Sequence, residues 1–280
     1  MKNLNRLLSL SFLGFFSLLI SCENEDSITE NNDLSNNEVS QAMLDKIEAL
    51  AFNTQGVYVK DFVLPDGTSE KRYMVEDHIA LSEDYINTMQ LNGGVQSEQY
   101  RTNNLVADGN ISVLGFTGPN FALSTSGRNG LAFAVENYNN LNLDISMTLS
   151  FGSANVQNFD IVVFDNSVNE DGTGGSAGFP SGGRPNQFVQ IFGLQNASNN
   201  LNEHVIAHEI GHSIGFRHTD WFSRQSCGQN TNEGTAGVGA IHIPGTPTGF
   251  DPTSFMVSCF SGNEDGEFNG NDITALRFLY

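Results

Sequence analysis

Residues 208–218 read His-Glu-Ile-Gly-His-Ser-Ile-Gly-Phe-Arg-His, and both a fold and a chemistry can be predicted from them. His208 and His212 are four residues apart, so on a helix their imidazoles lie on one face and can bind a single Zn²⁺. Glu209, between them, is the carboxylate that would take the proton from a water activated by the metal. Gly215 can adopt the left-handed conformation that ends a helix, after which the chain can turn back.

The third ligand expected from this pattern is His218, which follows the turn. Three protein ligands leave the fourth position open to water, which is typical of a catalytic rather than a structural zinc site. The extended pattern H-E-x-x-H-x-x-G-x-x-H is diagnostic of the metzincin class of metallopeptidases. The alternative is a buried helix that carries incidental histidines.

The same stretch also carries a family resemblance. His-Glu-Ile-Gly-His followed by Ser-Ile-Gly-Phe-Arg-His-Thr-Asp resembles the dual-action HEIGH metallopeptidases, a bacterial metzincin family. The resemblance is strongest over residues 174–280 and weaker upstream. It implies an α+β, metzincin-type zinc peptidase domain, with a twisted mixed sheet, a backing helix and an active-site helix. It also implies a zinc endopeptidase that acts on a protein or peptide substrate.

Met256, in Ser-Phe-Met-Val-Ser-Cys, resembles the methionine turn that passes beneath the zinc of metzincins. Its expected role is a hydrophobic floor under the site. Some relatives carry a metal-binding tyrosine two residues later, but Ser258 stands there, so no such tyrosine is expected. Asp220 is expected either to orient an imidazole or a loop near the metal, or to act as a simple capping or surface residue.

The cysteine count favours one disulfide. If Cys22 carries lipid, Cys227 and Cys259 remain as an even pair in an oxidising compartment. Both would flank the metal site if Met256 lies beneath it. A disulfide is therefore favoured over two buried free thiols.

Residues 1–21 are predicted to be a lipoprotein export signal. Lys2 and Arg6 precede an apolar run over residues 7–20 that is too short for a comfortable transmembrane helix. The run ends Leu-Ile-Ser before Cys22, which resembles a bacterial lipobox with cleavage before the cysteine and diacylation of its thiol. Ordinary signal cleavage that leaves a free cysteine is the alternative. Lipid chains would anchor the protein outside the cytoplasm, at the outer membrane or cell surface.

The rest of the chain divides into three predicted segments. Residues 22–37 are polar and acidic and indicate a flexible tether. Residues 38–100 are expected to form a small N-terminal unit that is either a removable pro-segment or a permanent accessory layer. Residues 101–280 are expected to form the catalytic domain. The predicted elements are helices at 38–52, 127–141, 202–215 and 272–280, a short helix from Ser82, and strands at 57–64, 71–76, 111–116, 143–151, 159–164 and 187–193.

A latent precursor would need a group that blocks the zinc. Cys22 could not serve if it carries lipid, and the sequence does not choose among Asp61, Asp66 and Asp77. His78 and His242 belong to no motif. His204 is interpreted as a structural or solvent-facing histidine, since three ligands already complete the site.

Two further segments allow a functional and a plain interpretation. The glycine-rich loop at 171–185 borders, by resemblance, the edge strand along which a substrate lies antiparallel, with subsites near 177–184; it could equally be a surface loop. The tail from Asp265 to Asp272 offers oxygen ligands for Ca²⁺ but lacks the glutamate of an EF-hand, because Leu276 stands at that position. Capping of the final helix, which resembles the terminal helix of matrixins, is favoured instead.

The charge balance narrows the classes of molecule that this protein is expected to bind. With 12 Lys+Arg against 32 Asp+Glu, the net charge of −20 argues against nucleic acid or an anionic membrane as a partner. The alternative to an enzyme is a cell-surface binding lipoprotein with a structural or vestigial metal site. Its weakness is Glu209, which a purely structural site does not require.

Overall fold

The structure, a computed structural model, describes residues 39–50, 52–88, 99–234 and 240–280. From residue 39 onward these residues form one compact α+β unit, and the part described contains five α-helices, which confirms the predicted fold class. The predicted export signal, Cys22 and the tether lie outside the described residues. None of the helices in the described ranges has the length and apolar character needed to cross a membrane.

The helices and strands follow one another as predicted, with short additions. In chain order they are α1 (Gln41–Ala49), β1 (Tyr58–Val63), β2 (Ser69–Val75), β3 (Ile79–Ser82), α2 (Glu83–Thr88), β4 (Tyr100–Arg101), β5 (Gly109–Phe116), α3 (Thr125–Asn139), β6 (Ile145–Gly152), β7 (Ile161–Asp165), β8 (Gly174–Ser176), β9 (Phe188–Phe192), α4 (Asn199–Ile214), β10 (Ile241–His242) and α5 (Gly270–Leu279). Strands β3 and β8 fall in segments for which no strand was predicted.

The central sheet has five strands in the order β6-β5-β7-β9-β8. The first four are parallel, and β8 pairs antiparallel with β9 at one edge through Gly175 opposite Ile191. A second sheet, β1-β2-β3, is antiparallel throughout. The mixed sheet expected from the resemblance is therefore present, and its antiparallel edge lies in the glycine-rich loop.

Both faces of the central sheet are covered. Side chains alternate along each strand, so β5 sends Val113 to the side of α3 and α4 and Phe116 to the opposite side. On that opposite side the sheet packs against the N-terminal sheet. The shared apolar cluster joins Phe62, Leu64, Met74 and Ala80 of the N-terminal sheet and its flanks to Leu114, Phe116, Phe121, Val156, Val162 and Phe164.

Helix α4 starts earlier than predicted. Ser198 is its N-cap, and its side chain accepts a hydrogen bond from Leu201 N at 3.1 Å. Asn202, the residue predicted to cap this helix, lies inside it, buried, with its amide donating to Leu194 O at 3.1 Å. The prediction was wrong because both residues are good caps by type, and only the path of the preceding chain selects Ser198.

The final helix holds the end of α4 in place. Asn269 and Asp272 form a capping box at the start of α5, which confirms that the polar tail caps this helix. Tyr280, just after α5, donates a hydrogen bond to Ile214 O at the last turn of α4. Tyr138 of α3 donates to Ala207 O at 2.9 Å. Two buried phenols therefore fix the main chain of the helix that carries the motif.

Candidate metal centre

Helix α4 presents the first half of the motif. His208, Glu209 and His212 are all buried, and the two imidazoles lie one turn apart on the same face. The helix ends at Ile214, and Gly215 follows with φ of +121°, a conformation that favours glycine. A Cβ at Gly215 would also lie 2.9 Å from Asn104 O, so this turn requires a glycine for space as well as for conformation.

The chain after the turn brings in His218 as predicted. Arg217 N donates to Tyr100 O at 2.9 Å, and Phe216 bridges to Arg101, so β4 holds this extended segment. His218 Nε2 then lies 3.2 Å from His212 Nε2. The three motif histidines are thus brought together in the structure.

Each of the three imidazoles is oriented by an acceptor at its other nitrogen. His208 Nδ1 lies 2.8 Å from Phe255 O, and His212 Nδ1 lies 2.9 Å from Phe216 O. His218 Nδ1 lies 2.8 and 2.9 Å from the two carboxylate oxygens of Glu233. Since these oxygens only accept, the proton sits on Nδ1 in each ring and leaves the Nε2 lone pair facing the centre of the cluster.

A fourth imidazole, from outside the motif, completes the cluster. His78 Nε2 lies 3.0 Å from His218 Nε2, 3.2 Å from His212 Nε2 and 3.3 Å from His208 Nε2. His78 sits on the three-residue loop between β2 and β3, far from the motif in sequence. No spacing or local pattern links it to the motif, so its place in the cluster could not be predicted from the sequence.

This nitrogen cluster fits a tetrahedral zinc ion. At the usual Zn–N distance of about 2.0–2.1 Å, the ligand nitrogens of a tetrahedral site lie about 3.3–3.4 Å apart. The four Nε2 atoms lie 3.0–3.3 Å apart in the pairs that come closest. The Nε2 atoms of the three motif histidines present lone pairs to one point and repel one another, and a cation between them removes that conflict. Residues His78, His208, His212 and His218 therefore form a group that could hold a metal.

The histidines are held in the neutral form that metal binding requires. Burial, followed by the neighbouring His218, lowers the pKa of His208 to about 3. Burial also lowers the pKa of His218 to about 3 and that of His212 well below its usual value. Because a neutral imidazole binds metal and an imidazolium does not, the site is competent for metal at neutral pH.

Glu209 lies beside the cluster with an unsatisfied carboxylate. Its side chain is buried, and Oε2 has no hydrogen-bond partner among the described residues. Burial raises the pKa of this carboxyl well above its usual value. A cation held by the histidines would favour the ionised form and lower that pKa. The carboxylate therefore offers an acceptor without a hydrogen-bond partner, directly beside the histidine cluster.

The methionine residue lies where the resemblance placed it. Met256 is buried beneath α4, and its main-chain oxygen accepts from Thr219 N at 2.8 Å. A Cβ at Gly211 would lie 2.6 Å from Met256 Sδ, so the glycine of the motif lets this turn approach the helix closely. Phe255, next to Met256, supplies the acceptor for His208 Nδ1.

Asp220 organises the loop beside the histidine cluster, and its side-chain hydrogen bonds within the described residues go to Ser226 and Ser258 and not to an imidazole. Its carboxylate accepts from Ser226 N at 2.8 Å and from Ser258 N at 2.9 Å. Ser258 Oγ in turn lies 2.9 Å from Glu233 Oε1, the carboxylate that orients His218. Of the two functional roles predicted for Asp220, the structure therefore shows the loop contact.

The predicted disulfide between Cys227 and Cys259 is present. It joins the loop that follows His218 to the segment that follows Met256. Cys259 N also donates to Ser226 Oγ at 3.0 Å, so a hydrogen bond joins the same two segments as the disulfide. Together they fix the loop that carries Glu233 against the methionine turn.

Glu233 is the site residue that sequence reasoning missed most plainly. It lies in an irregular loop with its side chain almost fully buried, close to Arg217 at 3.7 Å and Arg224 at 3.4 Å. The surrounding sequence, Asn-Thr-Asn-Glu-Gly-Thr, indicates an exposed turn. Only the tertiary contact with His218 reveals its role.

The three aspartates considered as blocking groups do not reach the metal-ligating nitrogens by any contact found in the described residues. Asp61 pairs with Lys71, Asp66 accepts from Thr68, and Asp77 pairs with Arg224 at 2.8 Å. His78, which was assigned to no motif, is the residue of the N-terminal unit that enters the cluster.

A cleft of about 410 Å³ opens beside the cluster. It is lined by His78, His208 and Glu209 on one side and by Gly174 and Gly175 of edge strand β8 on another. The predicted subsites at 177–184 begin where β8 ends. His204 also lines this cleft, whereas His242 belongs to none of the groups of described residues that could hold a metal.

The chain is similar to one known protein family and to two solved structures. The sequence matches the family of dual-action HEIGH metallopeptidases over residues 73–280. Two solved structures of myroilysin are similar to this chain at 12% identity. One has a TM-score of 0.38 and covers 62% of this chain and 81% of its own; the other has a TM-score of 0.35 and covers 60% and 81%. No curated protein matches the chain.

Proposed function

Since the chain belongs to the dual-action HEIGH metallopeptidase family, we propose that it is an endopeptidase that hydrolyses peptide bonds with a zinc ion held by His208, His212 and His218. The observation that carries this proposal is the convergence of three neutral imidazoles next to a buried, unpaired carboxylate. When bound, zinc supplies a Lewis acid that polarises the scissile carbonyl and lowers the pKa of a water.

Glu209 performs the proton transfers in this proposal. Its carboxylate accepts the proton from the attacking water and later delivers it to the leaving amine. The wall of the cleft at Gly174 and Gly175 belongs to an edge strand, so an extended peptide can add to it by main-chain hydrogen bonds. The buried position of Glu209 keeps bulk water away from the carboxylate during the transfer.

The test compares a soluble form of the chain that begins at Glu23 with its Glu209→Ala twin. Each is also prepared with His78→Ala, so that the fourth imidazole does not conceal activity. We expect Glu209→Ala to retain zinc, measured by elemental analysis, and to lose casein cleavage by roughly 10²–10⁴-fold. Equal cleavage by both forms would contradict the role of Glu209. Loss of zinc is expected from His208→Ala, not from Glu209→Ala.

A second candidate is a cell-surface binding lipoprotein with a structural metal site, and one observation favours it. Four histidine nitrogens converge, and a closed set of four protein ligands is typical of structural zinc. Glu209 weighs against this candidate, because a structural site has no use for a buried, unpaired carboxylate. Casein cleavage that depends on Glu209 would eliminate it.

The cellular location belongs to the same proposal. The lipobox-like residues before Cys22 support a protein anchored by acylation to the outer membrane or cell surface. Cys22→Ala is expected to abolish incorporation of labelled palmitate and to move the protein from the membrane fraction to the soluble fraction. Unchanged labelling would contradict the anchor.

A further inference from the structure

We propose that His78 is a fourth protein ligand of the metal, so that the loop Glu76–His78 closes the site and keeps the peptidase latent until the imidazole leaves. This inference rests on the proposed function and concerns how the same site is regulated. The fourth position is the one that water and the scissile carbonyl need in a catalytic zinc site. A protein nitrogen at that position excludes both.

The position of His78 is the first observation that carries the proposal. Its Nε2 lies 3.0–3.3 Å from the Nε2 atoms of all three motif histidines, which is the separation expected for ligands of one tetrahedral ion. The three distances are nearly equal, so His78 completes the tetrahedron and is not merely stacked on one neighbour. His78 also lines the cleft beside Glu209, on the route that a substrate would take.

Ion pairs anchor the loop to the segment that carries the third ligand. Arg217, next to His218, lies 3.2 Å from the Glu76 carboxylate. Arg224 contacts Asp77 at 2.8 Å and Glu76 O at 3.3 Å. The loop that delivers His78 is therefore held by the same residues that surround His218 and Glu233.

The backbone of the loop has an uncommon conformation for the residues that form it. Glu76 has φ of +53° and Asp77 has φ of +70°, values in the left-handed region that non-glycine residues seldom adopt. Two consecutive residues of this kind point His78 into the cleft. Because each conformation is unfavourable by itself, the pairing of β2 with β3 and the ion pairs at the loop together hold it in place.

The residues after His78 also form main-chain contacts at the edge of the cleft. Ala80 N donates to Ala177 O at 2.9 Å, and Ile79 forms a parallel bridge with Ala177. Ala177 follows β8 directly, so its main-chain acceptor is no longer open to an added peptide strand. One continuous segment, residues 78–80, thus reaches both the histidine cluster and the end of edge strand β8.

The imidazole can leave without unfolding the N-terminal unit. Val75 and Ile79, at either end of the loop, are buried in the apolar core, whereas Asp77 is exposed. Rotation about the Cα–Cβ and Cβ–Cγ bonds of His78 withdraws Nε2 and leaves both flanking residues packed. The block at the metal therefore depends on one side chain, and a single substitution can open the fourth position.

The experiment measures access to the metal in the full mature chain. The proteins are the unaltered chain, His78→Ala, His78→Gln, which keeps side-chain bulk without an imidazole, and His242→Ala as a matched control that also removes one histidine. Each is loaded with Co²⁺ for visible absorption spectra and with Zn²⁺ for calorimetric titration with acetohydroxamate. Casein cleavage is measured in parallel.

We expect both His78 variants to bind acetohydroxamate at least roughly tenfold more tightly than the unaltered chain. That ratio corresponds to a site which His78 occupies in at least about nine-tenths of the molecules. Their Co²⁺ spectra should differ from that of the unaltered chain and change on addition of acetohydroxamate, while His242→Ala should match the unaltered chain. Casein cleavage should rise in the two His78 variants.

Equal acetohydroxamate affinity and identical Co²⁺ spectra in all four proteins would overturn the inference, whatever the peptidase activity. If the His78 variants gain affinity and alter the spectrum but no protein cleaves casein, the fourth ligand is supported and the proposed function fails. If all four cleave casein equally and show identical spectra, the proposed function is supported and the latency inference fails.

Discussion

At the residue scale, the metal site depends on the group that accepts a hydrogen bond from Nδ1 of each imidazole. Two of the motif histidines donate to main-chain carbonyls, which no substitution can remove. His218 instead donates to the side chain of Glu233. The carboxylate raises the basicity of the ring and fixes its orientation. The third ligand is therefore the one whose support can be tested by mutation.

Glu233→Ala is expected to weaken zinc binding by roughly 10–100-fold, because His218 loses the acceptor that orients it. Arg217 and Arg224 would also lose this buried carboxylate partner. Each keeps a second carboxylate, Glu76 and Asp77 respectively, so the loss of stability should stay below the figure of about 3–5 kcal/mol that is typical of an unpaired buried charge. Glu233→Gln keeps an acceptor for His218 Nδ1 and should lose less zinc affinity. Competition with a chromogenic chelator measures the affinities. Equal zinc affinity in the unaltered chain and both variants would contradict this role.

The difference between local and distant contacts explains which site residues could be predicted from the sequence. His208, Glu209, His212 and His218 follow from a short spacing rule, because a helix and one turn bring them together locally. Glu233 and His78 reach the cluster only through the tertiary fold. Their neighbours in sequence carry no pattern that indicates a buried ligand or its support. Local geometry was therefore predictable, and contacts between distant segments were not.

At the element scale, helix α4 is unusual in burying nearly all of its sides, Glu203 included. The Glu203 carboxylate accepts from Asn137 of α3 at 2.9 Å. Burial, and then the nearby Glu267, raises the pKa of Glu203 to about 7. Its unfolded value is about 4.3. The folded protein thus holds one more proton between these values, and the associated stability, fully present below pH about 4.3, is lost as the pH rises through about 7.

Glu203→Gln should therefore alter the pH dependence of stability. Glutamine stays neutral and can still accept from Asn137, so the variant should have a higher Tm than the unaltered chain at pH 8 and nearly the same Tm at pH 4. Thermal unfolding followed by circular dichroism, with a chelator present to remove metal effects, measures both. Glu48→Gln, at an exposed position on α1 and absent from the charges that act on Glu203, is the control. A Tm difference that does not change with pH would contradict the assignment.

The long elements were predictable and the short ones were not. Strands β5, β6, β7 and β9 and helices α3, α4 and α5 all lie within a few residues of the predicted ranges, because each has a clear apolar pattern. Strand β8 has the sequence Gly-Gly-Ser, which indicates a loop, and becomes a strand only by pairing with β9. Helix starts differed where several polar residues could each have served as the cap.

At the scale of the whole molecule, the N-terminal unit and the central sheet share one apolar cluster. Phe62 and Met74 of the N-terminal sheet pack with Phe116 and Phe164 of the central sheet, and all four are buried. The aromatic rings of Phe62 and Phe164 meet edge to face at 6.2 Å between centroids. The segment that contains His78 is therefore held against the central sheet by its apolar core as well as by the histidine cluster.

Removal of residues before 99 should consequently destabilise the remainder, because it uncovers this face of the sheet. Each large apolar side chain returned to water costs about 1.5–3 kcal/mol, and a domain has only about 5–15 kcal/mol of stability. Several such side chains lie under the N-terminal sheet. We expect a chain that begins at residue 99 to bind a fluorescent apolar dye and to aggregate in sedimentation velocity runs.

The control for this truncation is the His78→Ala chain that begins at Glu23, which opens the metal site and keeps the sheet covered. That protein should remain monomeric, bind little dye and unfold cooperatively. The two proteins separate the two functions of the N-terminal unit. The truncated chain loses both the imidazole that blocks the metal site and the apolar side chains that cover the sheet, whereas His78→Ala loses only the imidazole. A truncated chain that is monomeric and unfolds at the same Tm as the control would show that the unit acts as a removable pro-segment. Aggregation of the truncated chain alone would identify it as a permanent layer from which a single histidine must withdraw.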